Sequence, residues 1–70
     1  MSDLPIADVV NAQGKFVVFL ASLLQRGGVA TMTDFAALLA TFAATVEETE
    51  PKEAEILGSW AAAVGRAIAH

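Results

Sequence analysis

Phe35-Ala36-Ala37-Leu38-Leu39-Ala40-Thr41-Phe42-Ala43-Ala44-Thr45-Val46 is the stretch whose reading decides the fold. Phe35, Leu38, Leu39, Phe42 and Val46 recur at i, i+3, i+4, i+7 and i+11, the spacing of one helix face. Alanine and threonine occupy the other side, where a surface helix carries charges. A helix that is apolar or small all round is a buried one. The stretch is therefore expected to be a central helix with neighbours on two sides.

Upstream, Arg26-Gly27-Gly28 is a helix stop, with a cation at the negative end of the dipole and a glycine able to turn left-handed beyond it. The helix it closes begins near Ser2-Asp3, with Pro5 in the first turn. Ile6, Val9, Val10, Val17, Leu20 and Leu24 recur at helical spacing, widened on one side by Phe16, Phe19 and Leu23; Ile6, Val10, Val17, Leu20 and Leu24 give the inward face, while Asp8, Lys15 and Arg26 line the opposite side. Gly14 lies inside this pattern at a cost of about 1 kcal/mol relative to alanine. Thr31-Met32-Thr33-Asp34 fits a capping box before the second helix, with Thr33 an equally good cap.

Downstream, five of the eight acids fall between Glu47 and Glu55. Pro51 disfavours helix at Glu50 and suits the first position of a third helix, whose opening turns favour Glu53 and Glu55. This is a solvated turn with helix-starting acids. It lacks the spaced ligands and turn glycine of a calcium loop. In the third helix Leu57, Trp60, Val64 and Ile68 form a bulky stripe beside a ridge of small residues, Ala54, Gly58, Ala61, Gly65 and Ala69. Such a ridge lets two backbones approach closely, so it is expected to pack on another helix, in the same chain or in a partner.

The sequence thus predicts an all-α fold, one domain over residues 1–70. Three helices near 4–26, 33–48 and 51–69 pack as an antiparallel bundle-like subunit. Seventy residues bury only about 60% of their unfolded surface, and small domains compensate with disulfides, metals or association. Cysteine is absent and the one histidine is the last residue. The hydrophobic fraction is 56%, above the ordinary ~45–50%. Association is the remaining remedy, and a two-fold dimer, a six-helix assembly, is the commonest form. The surplus apolar surface predicts an interface of Ala37, Ala40, Thr41 and Ala44 on the second helix with Ala54, Gly58, Ala61, Gly65 and Ala69 on the third.

The same composition argues against most chemistry. Net charge is −4 and the four cations, Lys15, Arg26, Lys52 and Arg66, are scattered, which disfavours nucleic acid and anionic membranes alike. A helix-turn-helix reading fails because the second helix offers alanine, leucine and threonine, with Asp34 at its start, where base readout needs Arg, Lys, Asn or Gln. No serine stands in a nucleophile motif, and Ser59 and His70 would lie ~16 Å apart along one helix. Acyl carrier proteins share the size and acidity, but their attachment serine sits in an Asp-Ser-Leu turn; Ser59 follows Gly58 and precedes Trp60 in mid-helix.

The N-terminus shows no basic segment before an apolar run, and the charge-free runs 16–25, 35–46 and 56–65 are shorter than the ~20 residues that span a bilayer. No cofactor, no metal and no enzymatic activity is expected. The expected function is a small, acidic cytoplasmic homo-oligomer working by protein–protein contact as an adaptor, regulator or assembly subunit, with an unidentified protein partner as a further candidate. The alternative is a carrier or sensor of an apolar ligand held between helices.

Overall fold

The ends of the helices are set by local hydrogen bonding. In the computed structural model, which describes residues 5–69, α1 spans Ile6–Arg26, α2 Met32–Glu47 and α3 Pro51–Ala69. The expected start signal at Ser2-Asp3 and the terminal His70 lie outside the described residues. Pro5, expected inside the first turn, stands just before it. It is the N-cap of α1 itself, and its carbonyl accepts the amides of Asp8 and Val9, both at 3.1 Å.

At the other end, Val29 N–H donates to the Leu24 carbonyl at 2.9 Å and Gly28 N–H to that of Gln25 at 3.1 Å. These are the paired bonds of a Schellman stop. They require the left-handed backbone of Gly28, φ +74°; Gly27 stays right-handed. Thr31 rather than Thr33 caps α2, its hydroxyl accepting from Asp34 N–H at 3.0 Å. Gln25 adds a bond across the turn, its side-chain carbonyl accepting from Met32 N–H at 2.8 Å. One of the orphan amides at the start of α2 is thereby satisfied from the end of α1. After α2, the Val46 carbonyl accepts from both Thr49 and Glu50. Pro51 then opens α3, where a missing N–H costs nothing.

Packing follows a 4–3 repeat. The packed seam of α1 is Val10, Gly14, Val17, Ala21 and Leu24; that of α2 is Met32, Ala36, Leu39, Ala43 and Val46; that of α3 is Ala54, Leu57, Ala61 and Val64. In each helix a small residue alternates with a larger one. Among the described residues the buried apolar ones are Ala21, Ala43, Ala54, Ala61 and Val64, so four of the five are alanines. Interaxial distance is set by the side chains at the contact, and alanine permits the close end of the range. α3 is the shared neighbour: it packs extensively along α2 and more briefly on α1, while α1 and α2 scarcely meet. The result is a slab of 38 × 31 × 19 Å.

This arrangement corrects two readings of the sequence. α3, not α2, holds the central position. The helices are also rotated about their axes from the expected faces. Ile6, Leu20, Leu38, Phe42 and Ile68, all expected inside, stand 81, 39, 67, 55 and 43% exposed. Val10, Val17, Leu24, Phe35, Leu39, Val46, Leu57 and Trp60 are half-buried, and only Val64 is fully enclosed. Hydrophobic periodicity weights the largest side chains most heavily. Close approach selects the smallest.

The glycines of α1 and α3 behave differently under this packing. A Cβ on Gly14 would lie 3.4 Å from Cδ1 of the Trp60 ring, whereas one on Gly58 or Gly65 would meet nothing within 4 Å. Gly14→Leu is therefore expected to destabilise by roughly 1–3 kcal/mol through overpacking. Gly65→Leu should gain up to about 1 kcal/mol of helix propensity. Urea denaturation of the two variants checks this; a larger loss for Gly65→Leu would place that glycine at a tight contact after all.

Candidate functional site

The expected interface residues do not form one surface. Ala37, Ala40, Thr41 and Ala44 lie exposed on the back of α2, Gly65 and Ala69 are exposed on α3, and Gly58 is half-buried. Ala54 and Ala61 are buried by the chain's own helices at 6 and 8% exposure, which leaves them no area for a partner. The small ridge of α3 thus acts within the subunit along part of its length. On the back of α2 the threonine hydroxyls are locally satisfied, Thr41 donating to Ala37 O at 3.0 Å and Thr45 to Thr41 O at 3.2 Å. Such back-bonding leaves a small-residue surface that water tolerates.

A different surface is conspicuously apolar. On α1, Val9, Phe16, Leu20 and Leu23 follow one another at seven, four and three residues, with Phe19 beside them. They are 37, 62, 39, 45 and 57% exposed. This stripe is turned about a third of a revolution from the seam that packs on α3, so α1 is apolar on two of its sides. Asp8, Lys15 and Arg26 occupy one flank between them. Sequence reading placed Phe16, Phe19 and Leu23 as a widening of the inward face; the signal that separates the two sides is the Gly14–Ala21 pair in the packed seam.

The second feature is a groove of about 570 Å³ between α1 and α3, beside the meeting of Gly14 with Trp60. Val10, Gly14, Val18 and Phe19 of α1 face Trp60 and Ala63 of α3 across its apolar part. Asn11 and Lys15 on one helix and Ser59 and Arg66 on the other line its polar part. A smaller cleft of about 230 Å³ lies beside Trp60 among Gln13, Glu53, Ile56 and Leu57. The indole Nε1 is covered and hydrogen bonds to no protein group, at a cost on the order of 1–3 kcal/mol. Sequence reading found Trp60 and Gly14 separately and did not join them.

Neither surface carries an assembled catalytic set among the described residues. Ser59 and Ser22 donate their hydroxyl protons to the Ile56 and Phe19 carbonyls at 2.6 and 2.8 Å. No three of the described acids and histidines come together as a metal-binding group. Comparison with protein-family models, curated proteins and solved structures returned no match.

One sequence expectation changes here. The charge-free runs were broken at Lys15, but α1 taken whole is 21 residues long and apolar enough to cross a bilayer by length and composition. Short runs alone therefore do not establish a soluble location.

Proposed function

We propose that the protein is a small cytoplasmic, non-enzymatic contact protein that self-associates, the outer face of α1 laid on the same face of a second copy, and that it serves as an adaptor, regulator or assembly subunit. The observation that carries this reading is the exposure of Val9, Phe16, Phe19, Leu20 and Leu23 along one side of one helix. Taking ~200 Å² for a whole large side chain, these five leave roughly 450–500 Å² per copy. Two copies then bury about 1,000 Å², the lower bound for a specific interface.

Charge supports an antiparallel pairing. With Phe16 on the two-fold axis, Val9 faces the Leu23 position of the second copy. Asp8 and Arg26 share a flank, so reversing the helix direction brings each carboxylate near a guanidinium of the other copy. The Lys15 pair lies near the axis, and its long stems carry the ammonium groups outward into water. Six helices result.

Lys15 also bears on location. It sits close to the midpoint of Ile6–Arg26, where a lysine costs about 2.5–3.5 kcal/mol in a spanning helix. Most of the acids fall in the remainder of the chain and oppose an anionic bilayer. The scattered cations support no nucleic-acid partner.

Sedimentation equilibrium at micromolar concentration should return twice the chain mass of 7.3 kDa. Phe16→Glu is expected to weaken the dimer by about 30-fold or more, the loss of one central anchor, and Ala37→Glu to leave it unchanged. A wild-type monomer would end the association reading; loss of the dimer in Ala37→Glu alone would move the interface to the back of α2. In flotation with phosphatidylglycerol vesicles the protein should stay with the soluble fraction, and co-flotation would replace the cytoplasmic reading with a membrane one.

A further inference from the structure

Two of the chain's four cations line a single groove, one from each wall. Lys15 comes from α1 and Arg66 from α3, and no carboxylate is among the lining residues. In a protein of net charge −4 this is a concentrated positive spot. The floor between them is apolar, formed by Val10, Val18, Ala63 and the ring of Trp60. The volume of about 570 Å³ falls within the ~300–1,000 Å³ of small-molecule sites. Apolar lining with a few convergent polar groups is the general form of such a site.

We propose that the α1–α3 groove binds a small amphiphilic carboxylate, its acid group between Lys15 and Arg66 and its apolar body along Val10, Val18 and Trp60. A guanidinium engages a carboxylate through two parallel N–H···O bonds, and the lysine adds a point charge from the facing helix. Asn11 and Ser59 supply neutral polar contacts on the same rim. The Ser59 hydroxyl already donates to the Ile56 carbonyl, so toward a ligand it acts as an acceptor and suits a protonated or hydroxylated substituent rather than the carboxylate. The smaller cleft on Trp60 carries Glu53, which repels an acid and leaves the larger groove as the anion's side.

Trp60 is the only tryptophan and tyrosine is absent, so intrinsic fluorescence reports the two clefts that Trp60 lines, and the Lys15 and Arg66 variants tell them apart. Titration with decanoate below its micelle concentration should change the emission saturably. Decanol and decyltrimethylammonium, with the same chain and no negative charge, should bind about tenfold more weakly or less, the loss of one charge-assisted interaction. Lys15→Gln and Arg66→Gln alter exposed residues and should each weaken decanoate binding about tenfold while far-ultraviolet circular dichroism is unchanged. Ala63→Phe should close the floor and abolish the response with helicity retained.

Equal affinity for decanoate and decanol would overturn the proposal, as would undiminished binding in the Lys15→Gln/Arg66→Gln double variant. An emission change produced by phosphatidylglycerol vesicles and not by monomeric decanoate would overturn it in favour of a lipid surface. Phe16 is not among the lining residues, so decanoate binding by Phe16→Glu tests the site in the absence of self-association, with Phe19, which borders both surfaces, left in place.

Discussion

The close approach of helix backbones through alternating small residues is the constraint on which the structure depends. Gly14 and Ala21, Ala36 and Ala43, and Ala54 and Ala61 occupy every second position of the three packed seams. With so little side chain between them, helices gain contact by backbone proximity and by the methyl and methine groups of intervening valines and leucines. Dispersion is collectively large only at contact distance, and a short chain cannot supply enough bulk to fill a wider gap. The same constraint explains the middle position of α3. Its small ridge presents Ala54 and Ala61 toward the packed interior, and the bulky stripe beside it brings the Trp60 ring to Gly14 of α1.

What the seams exclude appears on the outside. Phe16, Phe19 and Leu23 on α1 and Leu38 and Phe42 on α2 are each 45% exposed or more, and these are the side chains whose burial would stabilise most. Scattered exposed apolar residues are ordinary, whereas a contiguous stripe along one helix marks a contact surface. On α1 the stripe and the packed seam lie about a third of a turn apart, so the helix has a second apolar side left to cover. The proposed dimer covers the second side. The proposed ligand groove lies between these two faces, on the flank where Lys15 interrupts the apolar surface.

Helix number and order, and the helix ends from Arg26 onward, were legible in the sequence because local chemistry sets them. The Gly28 stop, the Thr31 cap and the proline at the start of α3 act within a few residues of themselves. Burial was less legible. Phe42 and Ala43 are neighbours, and periodicity alone favours the phenylalanine; only the matching alanines of another helix select Ala43. The Gln25 bond to Met32 and the contact of Trp60 with Gly14 escaped for the same reason, since each joins residues from different helices. The groove pairs Lys15 with Arg66 across fifty-one positions of chain, a juxtaposition that counting the cations as scattered conceals.

The most direct test of the account sets the two sides of α2 against each other by urea unfolding. If small residues form the packed side, Ala43→Leu overpacks it and loses roughly 1–3 kcal/mol, whereas Leu38→Ala removes an exposed side chain and costs less than about 1 kcal/mol. The contrary result is a neutral or stabilising Ala43→Leu together with the ~2–5 kcal/mol loss of a buried leucine at Leu38→Ala. That outcome would return the bulky face of α2 to the interior and remove the surplus surface from which the association is inferred.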